Sequence, residues 1–341
     1  MPSFLLVVMA ALLAAAMPAA AETRRVEGGP GALRLAIAGA SPGDVLLLAS
    51  GIHEGPIELP MPLTLQGENG AVIRGNGTGH VITITGNDVA VRSVVIEGSG
   101  GDATEIDSGI MIRKGVTGSR IENNRLTGNL HGVTVHGARG AIIRGNVIEG
   151  RNSGRVNDRG NGIYVWNAPG THVEGNDIRW GRDGIFANAS RENVFRRNRM
   201  RELRFAIHYM YINDSEVEGN ISIGNTLGLA LMFSNKIVVK DNMSLGDRKY
   251  GLMLNYANNA VVTGNLVRGG LTEKCTFIYN AHKNLFAENR FEDCEIGIHF
   301  TAGSERNVLT GNAFLGNRNQ VKYVGTRHVE WSSEGRGNFW S

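Results

Sequence analysis

The stretch HVEGNDIRWGRDGIFANASRENVFRRN, residues 172–198, contains one complete structural repeat. A short run of residues ends in Asn at each end of this stretch, at Asn176 and at Asn198, and these two residues are 22 positions apart. This Asn recurs with gaps of 22, 30, 22, 22, 22, 23, 24 and 23 residues, at Asn124, Asn146, Asn176, Asn198, Asn220, Asn242, Asn265, Asn289 and Asn312. A nearly fixed period of this size is typical of stacked-repeat proteins.

A second pattern has the same period. A Gly or a small substitute precedes alternating apolar residues, as in GIYVW at 162–166 and GLALM at 228–232. Alternation predicts a strand whose first and third positions after the Gly face the core and whose second and fourth face outward. We predict that these strands start at Gly109, Gly132, Gly162, Gly184, Ala206, Gly228, Gly251, Thr276 and Gly297.

Two further short strands flank each ladder Asn, one before it and one after it. Three strands in about 22 residues, joined by Gly turns, predict an all-β fold, a right-handed parallel β-helix. The Asn side chains are expected to stack between turns as a structural ladder. Residues Ala32–Ala40 have helical spacing and predict a short helix that caps the N-terminal end of the core.

Four regions follow from this pattern. Residues 1–21 read as a signal peptide, 22–108 as the N-terminal cap and first coils, 109–325 as the regular repeats, and 326–341 as a C-terminal segment. The apolar run Phe4–Met17 and the small residues after it predict cleavage after Ala21 and export to the periplasm. An uncleaved membrane anchor is the alternative.

Composition limits the function classes. Gly is frequent, at 47 residues, but it keeps register with the Asn ladder, so the chain is not low-complexity. The net charge of +3 and the lack of a basic run give no support to nucleic-acid binding. No Gly-rich loop ends in Gly-Lys-Ser/Thr, so the chain is not expected to bind nucleotides itself.

Cys275 and Cys294 are the two cysteines, and they lie 19 residues apart. That separation is a little less than one repeat, which places them on adjacent rungs within disulfide reach. An exported chain permits a disulfide. We favour a structural disulfide over a free thiol pair or a thiolate metal site.

The repeats alone are shared by many carbohydrate-active β-helices, but the two ends of the chain are more specific. The pattern L-x-x-A-I-A-x-A-x-P-G-D-V-L-L-L at 33–48 and the ending W-S-S-E-G-R-G-N-F-W-S at 331–341 resemble the NosD family. These are periplasmic accessory proteins of nitrous oxide reductase maturation in denitrification. Family members continue past that ending with an acidic, Gly-rich segment, so we expect 326–341 to be truncated relative to the family.

The resemblance implies a role in assembling the copper–sulfur site of a periplasmic reductase. The family works with the permease and ATPase subunits of a membrane ABC transporter, receives copper from a lipoprotein chaperone, and acts on apo nitrous oxide reductase. It implies no catalytic residue in this chain, transient Cu(I), and no tightly bound cofactor.

The outward positions of the Gly-led strands form two columns. The first is Met111, Thr134, Tyr164, Phe186, His208, Ala230, Met253, Ile278 and His299. The second is Arg113, His136, Trp166, Asn188, Met210, Met232, Asn255, Asn280 and Thr301. A water-facing sheet is expected to be rich in Thr, Ser, Asn, Lys and Glu, yet the middle rungs concentrate aromatic, Met and His residues.

Rungs stack about 4.8 Å apart, so four soft donors are expected around the small Ala230: His208, Met210, Met232 and Met253. Imidazole and thioether suit Cu(I), and thioether needs no deprotonation. The cluster therefore predicts a transient copper site. The alternatives are a docking surface for a partner protein and residues buried beneath a loop.

The two outward columns also contain aromatic residues closer to the N-terminus, and we expect these to bind a partner: Tyr164, Trp166 and Phe186. Aromatic rings on such a face also suit sugars, so the rival hypothesis is a periplasmic polysaccharide lyase, epimerase or hydrolase, or a carbohydrate-binding β-helix. Asp158, Asp177 and Asp183 fall on different rungs, and no carboxylate occupies the two columns. The inserted loop 151–160 either lines a binding face or is a spacer.

Overall fold

The computed structural model describes residues 21–270, 272–301, 303–325 and 328–341. This part of the chain is an all-β parallel solenoid of about 14 turns with 3% helix, as the repeat predicts. Apart from Ala21, the predicted signal peptide lies outside the described residues. Within the described part, no helix combines the length and apolarity needed to cross a membrane.

Each full turn contributes a strand to each of three faces. The first face contains the Gly-led strands: Ile57–Leu59, Ile82–Ile84, Ser108–Ile112, His131–His136, Ile163–Trp166, Asp183–Arg191, Phe205–Glu218, Leu227–Met232, Tyr250–Asn255, Lys274–Tyr279, Ile296–Phe300 and Asn319–Tyr323. The second face contains Thr23–Val26, Val45–Leu48, Thr64–Gly67, Ala90–Arg92, Arg120–Glu122, Ile142–Arg144, His172–Glu174, Val194–Arg196, Asn235–Lys240, Val261–Thr263, Leu285–Ala287 and Val308–Thr310. The third face contains Gly51–Glu54, Ala71–Arg74, Val95–Glu97, Arg125–Thr127, Val147–Glu149, Asp177–Arg179, Arg199–Arg201, Ile221–Ile223, Met243–Leu245, Leu266–Arg268, Arg290–Glu292, Ala313–Leu315 and Phe339–Trp340.

All the strand pairs are parallel and join consecutive turns. The long strand Phe205–Glu218 bends around the corner between the first and second faces, and so links them into one 24-stranded sheet. The third face is a separate 13-stranded sheet. The apolar inner positions of all three faces form one continuous core.

The N-terminal helix is confirmed, although it is shorter than predicted. It spans Ala32–Ala38, and its Leu33 and Ile37 are buried against the first turns while Leu35 faces solvent. A solenoid leaves the apolar end of its core open, and this amphipathic helix covers it. A second helical element, the single 3₁₀ turn Val156–Asp158, lies in the inserted loop.

The Asn ladder is a continuous hydrogen-bonded column inside one corner. Asn176 donates both its backbone N–H (3.0 Å) and its Nδ2 (2.9 Å) to Oδ1 of Asn198, and the same Nδ2 also donates to the carbonyl of Ile143 (3.0 Å). This pattern repeats turn after turn and ends on Asn338, which accepts from the backbone N–H of Asn312. Each amide of this ladder thus donates to and accepts from its neighbours, which is what an enclosed polar column requires.

One register prediction is wrong. Leu252 pairs with Thr276, so Cys275 and not Thr276 stands opposite Gly251. As a result Phe277 and Tyr279 face outward in place of the predicted Ile278 and Asn280, and Ile278 is fully buried. The misplacement arose because Cys275 occupies a column otherwise filled by Gly or Ala, and its sulfur is bonded to Cys294, with the two Cα atoms 5.6 Å apart.

Candidate functional site

The outer surface of the first face holds the predicted cluster. In register, Phe186, His208, Ala230 and Met253 follow one another in one column, and Asn188, Met210, Met232 and Asn255 do so in the next. A third outward column, which the sequence analysis missed, lies on the other side, just before the Gly positions. It contains Asp183, Phe205, Leu227, Tyr250 and Lys274.

His208 is the buried centre of this surface, with 7% of the residue exposed. Its ring lies between Phe186, with centroids 4.8 Å apart, and Phe205, at 4.7 Å in an edge-on contact. Its Nδ1 is 3.2 Å from Oδ2 of Asp183, so Nδ1 must carry the proton of a neutral ring. Nε2 then holds a lone pair, and it is buried with no hydrogen-bond partner among the residues that the structure describes.

Asp183 is fully buried, and Arg204 holds it through two hydrogen bonds of 2.8 and 2.6 Å. Burial by itself would raise the pKa of Asp183. The hydrogen bonds from His208 and Arg204, with the charge of Arg204, outweigh burial and leave that pKa below its ordinary value. Asp183 is therefore a carboxylate that fixes the orientation of the His208 ring.

The three thioethers lie next to this imidazole. Met210 follows His208 by two residues on the same side of the strand, Met232 pairs with Met210, and Met253 pairs with Ala230. All three Met residues are half-buried, and the small Ala230 stands between His208 and Met253 in the column. Oδ1 of Asn255, opposite Met232, is a second buried polar atom that lacks a partner within the described chain.

This donor set fits a soft cation. It combines one imidazole nitrogen, three thioethers and one amide oxygen, and thioether and imidazole are ligands that suit Cu(I). A histidine whose other nitrogen donates to a carboxylate is the usual arrangement of a metal-ligating imidazole. Within the described residues, no group of three or more His, Cys, Asp or Glu side chains could hold a metal ion.

The aromatic residues predicted to bind a partner stack on one another. Tyr164 and Phe186 lie 5.2 Å apart with 13° between their planes, and Trp166 stacks on His136 at 4.3 Å and 19°. Rings stacked along the solenoid axis turn their faces to each other and their edges to solvent. Sugar stacking needs an open ring face, so this surface is better suited to a protein than to a polysaccharide.

The carboxylates considered for sugar cleavage do not come together. Asp158 lies in the 3₁₀ turn of the inserted loop, and Asp177 lies on the third face, where it pairs with Arg201 at 2.6 Å. Asp183 does face outward beside the predicted columns, a position that the sequence analysis did not give it. Its two oxygens are engaged by Arg204 and His208.

The inserted loop borders the Asp183 side of this surface. Arg204 reaches Asn157 in the loop at 3.5 Å, and Arg151 at its base donates to the carbonyl of Gly100 at 2.7 Å. The loop thus lies against the outward column that contains Asp183, and does not cover His208 from the methionine side.

A second buried histidine lies on the same face. Nδ1 of His131 accepts the backbone N–H of Asn161 at 3.1 Å, so its proton must be on Nε2. Burial, followed by the charges of Arg182 and Arg151, lowers the pKa of His131 to about 4. This ring therefore has no free lone pair, and its role is to accept a backbone hydrogen bond. A sequence pattern does not distinguish it from His208.

Sequence comparison assigns the chain to a family. Residues 149–341 match the family model described as "Periplasmic copper-binding protein (NosD)". A "Probable ABC transporter binding protein NosD" from Stutzerimonas stutzeri is 39% identical over 307 residues, which is 86% of this chain and 70% of that protein. The protein of the same description from Pseudomonas aeruginosa is 39% identical over 306 residues, or 86% and 72% of the two chains.

Solved structures share the fold at much lower identity. A Yersinia enterocolitica family 28 exopolygalacturonase aligns with a TM-score of 0.61 and 12% identity over 90% of this chain and 75% of its own. The A-module of the Azotobacter vinelandii mannuronan C-5 epimerase AlgE6 gives 0.56 and 14%, over 91% and 93%. Identities this low show a common β-helix and nothing about activity. By its sequence relatives, the chain belongs to the NosD family of periplasmic proteins.

Proposed function

We propose that this protein carries Cu(I) transiently on the outer surface of its first face and helps to assemble the copper–sulfur site of nitrous oxide reductase. In this proposal His208, Met210, Met232 and Met253 hold the ion. The partners are a copper chaperone lipoprotein that delivers copper, the permease and ATPase of an ABC transporter, and the apo-reductase. The chain itself contributes no catalytic residue.

One observation carries the proposal. The Nε2 lone pair of His208 is buried and unpartnered within the described chain, while Asp183 and Arg204 fix the ring from the opposite side. An unpaired buried nitrogen costs about 1–3 kcal/mol, a cost that a bound ligand would offset. Half-buried thioethers in register with that ring make a soft metal ion a suitable ligand.

The donors also suit transfer of the ion and not only its storage. Thioethers bind without losing a proton, so three of the four proposed ligands can load and release the ion without a proton transfer. The Met side chains are half-exposed, which leaves a partner protein access to the ion.

The test is an anaerobic titration with Cu(I) against a competing chelator. We expect one ion per chain in the parent protein, and loss of binding in the variant His208→Ala/Met210→Ala/Met232→Ala. A matched control, His172→Ala/Met61→Ala/Met243→Ala, removes the same residue types elsewhere and should bind as the parent does. Equal Cu(I) binding by all three proteins, or no binding by the parent, would show that this face is not the copper site.

A polysaccharide-active enzyme is the competing function, and the same purified protein tests it. Incubation with uronate polymers, followed by detection of unsaturated or reducing ends, should show no product. Turnover that persists in the copper-site variant would support the enzyme instead. The stacked rings and the engaged Asp183 are the features that argue against it.

A further inference from the structure

A basic groove lies beside the copper-site surface, at the corner where the first face turns into the second. Its volume is about 520 Å³, and its lining includes Lys114, Arg139, Asn167, Ala189 and Tyr211. It exists because the turn position that holds an aromatic ring at Tyr211 is occupied by the small Ala189 in the preceding turn. The groove follows the solenoid axis and ends against Tyr211.

The charges of this groove are unbalanced. Lys114 and Arg139 make no ion pair within the described chain, and Arg191, which also lines the groove, approaches only its exposed neighbour Glu192 at 3.7 Å. The described lining includes no carboxylate. The nearby His136 is consistent with a positive local field, since its pKa is lowered first by burial and then by the charge of Arg113.

A row of aromatic rings continues from the end of the groove. Tyr211 stacks on Phe233 at 5.1 Å and Phe233 on Tyr256 at 5.2 Å. Tyr211 and Tyr256 are 52% and 44% exposed, a large apolar strip for a solvent-facing edge. Phe233 covers one face of Tyr211 and one face of Tyr256, so the strip offers mainly ring edges to apolar side chains, and the other face of Tyr211 borders the groove.

The spacing of the cations suits an extended peptide. Hydrogen bonds link the turn of Arg139 to that of Pro169, and Pro169 to that of Arg191, so the two arginines are two rungs apart. Two rungs span roughly 10 Å, about the length of three residues in an extended chain. Carboxylates three residues apart in a bound segment could therefore meet Arg139 and Arg191, and Lys114 lies one rung before Arg139.

We propose that this groove binds an acidic, extended segment of a partner protein, with carboxylates on Lys114, Arg139 and Arg191 and apolar side chains along the Tyr211–Tyr256 row. Tyr211 directly follows Met210, so the bound segment would run past the edge of the copper-site surface. The purpose of the contact, to align a copper-exchanging partner, rests on the proposed function. The binding itself does not.

The experiment uses copper-free protein and a fluorescent peptide with Glu at every third position and one central Phe. Fluorescence anisotropy at low salt should give saturable binding that weakens as salt is added. The variant Lys114→Ser/Arg139→Ser should bind at least about 10-fold more weakly. The variant Lys283→Ser/Arg306→Ser removes equal charge from exposed turns farther along the solenoid and should bind as the parent does.

Three results would overturn the inference. They are no saturable binding by the parent, an equal loss in both charge variants, and tighter binding of an oligouronate than of the peptide. Replacing Glu by Gln in the peptide should abolish binding. The two proposals fail separately, because Lys114→Ser/Arg139→Ser should keep its Cu(I) affinity and His208→Ala should keep its peptide affinity.

Discussion

His131 and His208 are two buried histidines on the same face of the β-helix, three turns apart, and their hydrogen bonds are opposite. His131 accepts a backbone N–H through Nδ1, whereas His208 faces the carboxylate of Asp183 through the same atom. Both are 7% exposed. The group opposite Nδ1, and not the position or the burial of the ring, decides which histidine keeps a free lone pair.

The surroundings differ in the same way. At His131, burial first and then the nearby cations Arg182 and Arg151 oppose protonation, and the pKa falls to about 4. Near His208 the anion Asp183 is present and is itself held by Arg204. One region therefore keeps a neutral ring for a structural hydrogen bond, while the other orients a ring whose Nε2 has no partner within the described chain.

The largest effect that separates the two regions is in copper affinity. His208→Ala should weaken Cu(I) binding by about 100-fold or more, close to 3 kcal/mol, because it removes the only imidazole donor. His131→Ala should leave the affinity unchanged, since its ring has no lone pair to offer. Competition with a Cu(I) chelator measures the affinity of both variants. An equal loss of affinity in the two would contradict the different roles of His131 and His208.

A second test uses acid and concerns His131. The unfolded chain binds a proton near pH 6.5 and the folded chain only near 4, so stability falls as the pH drops through this window. Between about pH 6.5 and 4.5 this group alone removes about 2 kcal/mol.

The measurement compares denaturant unfolding of the parent with that of His131→Asn, whose Oδ1 can still accept the Asn161 N–H. Other histidines with lowered pKa values, His80 and His136 among them, act in the same direction and cancel in this difference. A variant as acid-sensitive as the parent would contradict the assignment. The exposed His172→Asn serves as the control.

A third test addresses the orienting carboxylate. Asp183→Asn keeps the size of the side chain but removes the charge that fixes the proton on Nδ1 of His208, and should lower Cu(I) affinity about 10-fold. Asp177→Asn, on the third face, should have no effect on binding. If Asp183→Asn binds copper as tightly as the parent, the carboxylate has no part in orienting His208.

The smallest effect compares Asp183 with Asp247, a second fully buried carboxylate. Asp247 accepts from the hydroxyls of Ser222 and Ser244, both at 2.6 Å, and burial raises its pKa because those hydrogen bonds do not offset it. A raised pKa gives stability below the unfolded value that is lost as the pH rises through the folded one.

Asp247→Asn should therefore stabilise the protein at neutral pH, because it removes a carboxylate whose burial is not offset by its hydrogen bonds. Asp183→Asn should destabilise it, since Arg204 would lose its partner. Denaturant midpoints at neutral pH compare the two variants. Stabilisation by both would mean that Arg204 does not compensate the charge of Asp183.

Much of the fold was predictable because a solenoid is specified locally. The Asn period, the Gly positions and the two-residue alternation each set a repeating contact, and together they identified the three-strand turn and the outward columns of the first face. The prediction failed at Thr276, where a Cys in the Gly column shifted the apparent register by one residue. One residue of slip reverses inside and outside, which is why Ile278 was misplaced.

The sequence by itself determined the β-helix, the N-terminal helix and the columns that bring His208, Met210, Met232 and Met253 together. Periodicity is enough for this, since residues one repeat apart must stack. Only the tertiary structure decided which way the His208 ring is held, that Asp183 and Arg204 hold it, and that Lys114, Arg139 and Arg191 share one groove. These depend on side chains from different turns meeting across a corner, where a one-dimensional pattern carries no distance or direction.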